Sequence, residues 1–216
     1  MMIKAVIFDM DGVIIDSEPI ESLSWEKILR EYGKEPIINE WGLVHPVGTK
    51  AFDYVMSKHG LVEDVEVIRN KKRKIYLELV LKNPNLMPGF LKLLKELTKQ
   101  KIKIAVASNR YEEHVALIIE KLGVSSSFNA LIGFSPDIEV KPAPDIYLKA
   151  AKALGVDPKN CIAIEDSEPG VIAAKAAGMK AIAVPNRYTI YQDFSKADKI
   201  VKSLSEITMP TLEALG

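Results

Sequence analysis

Short β-branched and apolar runs recur along the chain, at Ile3 to Phe8, Ile102 to Ala107, Ala130 to Ile132, Cys161 to Ile164 and Ala181 to Val184. Helical patterns separate most of them. A strand whose residues are nearly all apolar is buried on both faces, which is the condition of strands in a parallel sheet covered by helices. The helices show themselves by spacing: Phe90, Leu93, Leu94, Leu97 and then Val115, Ile118, Ile119, Leu122 each follow the i, i+3, i+4, i+7 stripe. Gly123, Gly155 and Gly178 follow helical segments as C-terminal caps. The expected class is α/β.

One interval breaks the alternation. Between Ser17 and Asn83 the pattern is wholly helical, with Trp25, Ile28, Leu29, Tyr32 as one stripe and Phe52, Val55, Met56, His59 as another. Asp16 and Ser17 suit an N-cap and Pro19 a first turn, while Asn83-Pro84-Asn85 marks the return to the sheet. The expected division is a sheet domain of residues 1–16 and 84–216 with an inserted helical domain, 17–83. Lys71-Lys72-Arg73-Lys74 spreads round a helix and is expected to form a solvated face.

Across 216 residues, 29 basic and 29 acidic side chains cancel, so no global charge draws the chain to nucleic acid or an anionic membrane. The single cysteine, Cys161, excludes an internal disulfide and reads as a small buried hydrophobe. No apolar stretch approaches the ~18 residues of a membrane span, and the first residues lack a signal-peptide layout. A cytoplasmic location is expected.

Asp9-Met10-Asp11-Gly12 stands where the first strand emerges. An unpaired buried carboxylate costs several kcal/mol, so both acids belong at an open polar edge. Glu165-Asp166 follows another apolar run in the same way. In a parallel sheet these strand ends share a rim, where four like charges repel unless a hard cation holds them, and carboxylates, carbonyls and water suit Mg²⁺. Ser108-Asn109 and Lys141-Pro142 lie at further strand ends. A lysine on an acidic rim is what a bound phosphate needs. The competing reading of Glu165-Asp166 is a cap of the next helix, beside Ser167 and Pro169.

Together Asp9-Met10-Asp11-Gly12-Val13, Ser108-Asn109, Lys141-Pro142 and Glu165-Asp166-Ser167 resemble the motifs of the haloacid dehalogenase superfamily. Asp16-Ser17-Glu18-Pro19 resembles the cap entrance of its β-phosphoglucomutase and phosphoglycolate phosphatase-like branch. The resemblance implies a Rossmann-like parallel sheet core with an inserted α-helical cap domain that closes over the rim. It implies that Asp9 is the nucleophile, forming an aspartyl-phosphate, and that Asp11 is the general acid and base. Mg²⁺ would be held by Asp9, the Asp11 carbonyl, Glu165 and Asp166. Ser108, the Asn109 amide and Lys141 would grip the phosphoryl oxygens, with Gly12 allowing a close backbone approach. Substrate selection would fall to the cap, with Glu18, Glu21, His45, Thr49 and Lys50 as candidates.

The implied reaction is hydrolysis of a small phosphomonoester, a sugar or polyol phosphate, by a monomer or weak oligomer. Its partners would be a small phosphorylated metabolite, with no nucleic acid and no membrane. A β-phosphoglucomutase is the alternative. That branch carries a histidine at the position of Glu21 and an arginine at that of Thr49, and this chain has neither. A true dehalogenase needs no metal and would leave Asp11 and Glu165-Asp166 without a task. A phosphonate hydrolase would need a Schiff-base lysine in the cap, for which Lys50 is the candidate. A binding module on a retired enzyme fold would be expected to have lost an acid or the lysine.

Overall fold

The computed structural model describes residues 3–36 and 49–216. Its strands are β1 (Ala5–Phe8), β2 (Lys103–Tyr111), β3 (Ala130–Phe134), β4 (Cys161–Glu165), β5 (Lys180–Ala183) and β6 (Lys199–Ile200). Its helices are α1 (Glu18–Glu31), α2 (Thr49–His59), α3 (Val65–Lys82), α4 (Phe90–Lys99), α5 (Glu112–Lys121), α6 (Asp145–Leu154), α7 (Glu168–Ala176) and α8 (Met209–Glu213). The strands form one six-stranded, wholly parallel sheet in the order β3-β2-β1-β4-β5-β6. The order reverses at β1: the chain first builds β2 and β3 on one side, then returns to build β4 to β6 on the other. A crevice opens at such a reversal, outside the carboxyl ends of the strands. This is the α/β parallel sheet expected from the alternating runs and the Rossmann-like core that the resemblance implied.

Alternate strand residues face opposite helical layers. On one face Ala5, Ala105, Ala107, Ala163, Ala181 and Ala183 meet Ala150 and Ala151 of α6 and Ala173 and Ala174 of α7. Methyl groups on both partners let these helices lie close against the sheet. On the other face Phe8 packs edge-to-face on Phe90 of α4, with ring centroids 5.5 Å apart. Burying such a ring stabilises the fold by about 1.5–3 kcal/mol. The expected stripe of Phe90, Leu93, Leu94 and Leu97 is buried throughout.

Two strand boundaries differ from the sequence reading in ways that matter for the site, and one strand was not foreseen. β2 runs on to Tyr111, so Ser108 and Asn109 lie within it rather than beyond it. There its register with β3 shifts, between Ala107 and Tyr111, an irregularity of the kind that re-aims side chains. β4 includes Glu165 as its last residue. β6 is two residues long, too short for any periodicity to reveal.

The chain divides into two compact units, Met1–Asp16 with Asn85–Gly216, and Ser17–Pro84. Within the first, the departing and returning segments run side by side: the Asp16 amide donates to the Asn85 carbonyl at 2.8 Å, and the Met87 amide to that of Ile14 at 2.9 Å.

The second unit holds α1, α2 and α3 around Trp25, Ile28, Leu29, Val55, Leu61 and Ile68. The basic run corrects one expectation. Lys72 is buried rather than solvated: its ammonium lies 5.3 Å from the centroid of the Trp25 ring and pairs with Glu21. Its stem packs on apolar surface, and the acid supplies the charge that burial would otherwise leave unmatched. Among the described residues no helix is long and apolar enough to cross a membrane.

Candidate active site

The polar cluster lies in the sheet unit, at the carboxyl ends of β1, β2 and β4. The Asp9 amide donates to the Ile164 carbonyl at 2.9 Å, carrying the β1–β4 ladder one residue past the end of β1. The Asp9 carboxylate is therefore placed by the sheet itself. Beyond it the chain turns back tightly, with the Gly12 amide donating to Ile15 and that of Ile14 to Met10. Gly12 has φ +76°, and a Cβ there would stand 2.1 Å from Asp166 Oδ2 and 3.0 Å from Asn186 Nδ2. Both its conformation and its closeness to Asp166 require glycine.

Lys141 is the hub. Its Nζ donates to Asp9 Oδ1 at 2.5 Å, to Glu165 Oε1 at 2.6 Å and to the Ala107 carbonyl at 2.8 Å. All three donors of the ammonium are thus used inside the protein. Glu165 is fully buried and equally occupied: Oε1 also accepts from the Tyr147 hydroxyl at 2.6 Å, and Oε2 accepts from Ser167 Oγ at 3.1 Å. Ser167, not the acid pair, is the N-cap of α7, and its Oγ accepts from the Gly170 amide at 3.3 Å. Gly170 lets the helix approach the acid, because a Cβ there would fall 1.9 Å from Glu165 Cδ. Asp166, also buried, receives Asn186 Nδ2 on Oδ2 at 2.8 Å.

Burial governs the protonation of these groups. It pushes the Asp9 carboxyl up from 3.8 to about 7; the neighbouring Lys141 ammonium opposes the shift, while Glu165 and Asp11 add to it. Burial alone would lower the Lys141 ammonium, but Asp9 and Glu165 together hold it above its ordinary value. Burial, then Glu165 and Asp9, push the Tyr147 phenol well above its ordinary value, so it stays a donor.

Asp9, Glu165 and Asp166 each offer an oxygen within 4.8 Å of the others, and all three are buried. Three carboxylates against one ammonium leave uncompensated negative charge, and an all-oxygen donor set is what a hard divalent cation takes. The residues present fit such an ion.

Asp11 is held differently. Arg110 grips it with both arms, Nε to Oδ2 at 2.7 Å and a terminal nitrogen to Oδ1 at 3.0 Å. Such a two-point contact fixes the plane of the carboxylate as well as its position. Ser108 is buried, and its Oγ accepts from the Arg110 amide at 3.2 Å. Asn109 Oδ1 accepts from the Lys141 amide at 3.0 Å, tying β2 to the segment that carries the lysine.

The haloacid dehalogenase-like hydrolase family model matches residues 3–178, the span that carries most of these groups. The chain is a haloacid dehalogenase-like hydrolase. It is 34% identical over 98% of its length to "Putative phosphatase YhcW" of Bacillus subtilis, covering 96% of that protein. It is 32% identical over 97% of its length to the beta-phosphoglucomutase of the same organism, covering 93% of it. Among solved structures, a mutant of CbbY from Rhodobacter sphaeroides, in complex with xylulose-(1,5)bisphosphate, superposes with TM-score 0.84 at 26% identity. That match covers 98% of this chain and all, 100%, of the other.

In this hydrolase Asp9, Asp11, Gly12, Ser108, Asn109, Lys141, Glu165 and Asp166 all fall in the sheet unit. Glu18 and Glu21 lie on α1 in the helical unit, where Glu21 is engaged by Lys72. Thr49 and Lys50 open α2, but their side chains, like the whole of His45, lie outside the described residues. Sequence reasoning missed Arg110, Tyr147 and Asn186. Arg110 directly follows Ser108-Asn109, and a cation at a strand end on the same rim as the acids was a signal open to notice. Nothing in the pattern marks Tyr147, whose stripe position also suits plain core packing, or Asn186 in its loop.

Proposed function

We propose that this hydrolase is a Mg²⁺-dependent phosphatase acting on a small sugar or polyol phosphate through an aspartyl-phosphate intermediate. The observation that carries this reading is Lys141, a buried ammonium bonded to both Asp9 and Glu165 within a cluster of three acids. Asp9, the Asp11 carbonyl and Asp166 would hold the ion, with Glu165 supporting through its contact with Lys141. When bound, Mg²⁺ would favour the ionised form of Asp9 and neutralise charge on the phosphoryl oxygens.

The protein's own groups then divide the work. An Asp9 carboxylate oxygen attacks phosphorus as the bond to the leaving oxygen breaks, and Asp11 delivers a proton to that oxygen. Water next attacks phosphorus, Asp11 takes its proton, and the bond to Asp9 breaks to release orthophosphate. Ser108 and the Asn109 amide bind the phosphoryl oxygens, and Lys141, held against Asp9, offsets the charge that builds as nucleophile and phosphoryl group approach. Glu18, Glu21, His45, Thr49 and Lys50 are the first residues of the helical unit to vary for substrate choice; Glu21 would act together with Lys72.

The size class of the substrate is supported by CbbY, whose complex holds a sugar bisphosphate. A phosphate-release screen over sugar phosphates, phosphoglycolate and nucleotides, with and without Mg²⁺, tests the reading, with Asp9→Asn as the inactive control. The similarity to beta-phosphoglucomutase supplies the competing outcome. If β-glucose 1-phosphate becomes glucose 6-phosphate faster than phosphate is released, the chain is a mutase.

A further inference from the structure

We propose that Tyr147 is a positioning residue of this site: its hydroxyl and ring keep Glu165 as the counter-ion of Lys141 and hold the ammonium against Asp9. The inference rests on the phosphatase reading, in which Lys141 offsets the negative charge of the phosphoryl group that approaches Asp9. Tyr147 lies on α6, two residues past Asp145, and is fully buried. A phenol with no access to water must direct its O–H to a protein acceptor, and this one donates to Glu165 Oε1 at 2.6 Å. The same oxygen accepts Lys141 Nζ at 2.6 Å. The centroid of the Tyr147 ring stands 4.9 Å from that nitrogen, close enough for the ring face to attract the cation.

These contacts act in concert. Oε1 is shared by two donors and Oε2 accepts from Ser167, so the acid is anchored from both ends. Removing the phenol O–H leaves Oε1 to Lys141, and the ammonium is drawn toward Glu165 and away from Asp9. Removing the ring as well opens space into which the lysine stem can retreat. A residue that only filled volume would show neither effect, because phenylalanine fills almost the same volume.

Tyr147→Phe, Tyr147→Leu and Leu154→Ala separate the two roles. Leu154 is buried on the same helix and makes none of the site's polar contacts, so it reports the cost of weakened packing alone. The measurements are kcat and KM on the best phosphate ester from the screen, orthophosphate binding by calorimetry with and without Mg²⁺, and Tm. For Tyr147→Phe we expect kcat to fall about tenfold and orthophosphate binding to weaken by a similar factor, with Tyr147→Leu lower in both.

Leu154→Ala should lower Tm and leave kcat and orthophosphate binding in place. The inference is overturned if Tyr147→Phe keeps both within about twofold of the unmodified protein, or if Leu154→Ala reproduces its losses. If the unmodified protein releases no phosphate from any ester, the phosphatase reading falls instead. Orthophosphate binding then decides the role of Tyr147 alone.

Discussion

Arg110 gives Asp11 a fixed orientation that a lone carboxylate on a loop would lack. If Asp11 protonates the leaving oxygen, the loss of Arg110 should be felt most where that oxygen is a poor leaving group. Arg110→Leu is expected to slow hydrolysis of an alkyl phosphate by roughly 10- to 100-fold, the size of a hydrogen bond to a charged partner. An activated aryl phosphate, which departs without a proton, should lose far less; steady-state rates on the two esters measure the difference. Gly170→Ala tests a second fine contact, since its methyl would collide with the Glu165 carboxylate. Overpacking there should cost about 1–3 kcal/mol in a denaturant melt and remove most activity. Cys161 carries the opposite expectation. It is buried, and burial pushes its thiol up to about 11, so it should ignore a thiol reagent in the native state and react once unfolded.

The elements of the sheet were legible in sequence because fully buried strands tolerate few polar interruptions. The acids at the ends of β1 and β4 stood out as the first departures from those apolar runs. Lys141 was legible for a different reason, as a cation set among prolines near acidic strand ends. What stayed hidden was made by pairing across distance. Lys72 reads as one of four surface cations until Glu21 and Trp25 are brought against it, and Asn186 gains meaning from Asp166. β6 is hidden because two residues carry no period, and a side chain at its entrance ties it to its neighbours. Asp198 Oδ2 accepts from Lys175 Nζ at 2.6 Å and from the Ala181 amide at 2.8 Å, while Oδ1 accepts from Lys180 Nζ at 3.0 Å. These bonds join α7, β5 and the approach to β6.

Burial disfavours the Asp198 anion, but the donors outweigh it and hold its carboxyl below the usual 3.8. A lowered acid contributes stability that is present above its unfolded value and lost as pH falls through the folded one. Asp198→Asn should therefore cost about 1–3 kcal/mol at neutral pH, and the gap between variant and parent should close on acidification below the unfolded value. Urea melts across that range measure both.

For the molecule as a whole, the proposed role of the three buried acids in holding a cation predicts a stability that depends on whether that cation is present. Asp9 has a folded value of about 7 against 3.8 in the open chain. A raised acid contributes stability that is complete below the unfolded value and lost as pH rises through the folded one. The cation-free protein should therefore lose this contribution between those limits. A divalent ion held by Asp9 would favour the deprotonated acid, so the rise in Tm on adding Mg²⁺ should grow with pH and level off above about 7. Asp9→Asn should flatten that dependence, and a chelator should restore the cation-free curve. Thermal melts over the same pH series check all three.

The segments that leave and re-enter the sheet unit sit within hydrogen-bonding distance of each other, Asp16 beside Asn85. Everything from Ser17 to Pro84 therefore enters and exits through a single doorway, and the sheet order is indifferent to what hangs there. A lineage could exchange one lodger for another, or trim it to a short turn, without rethreading a strand. Whatever the helical unit contributes can then be inherited separately from the acids and the lysine of the sheet unit.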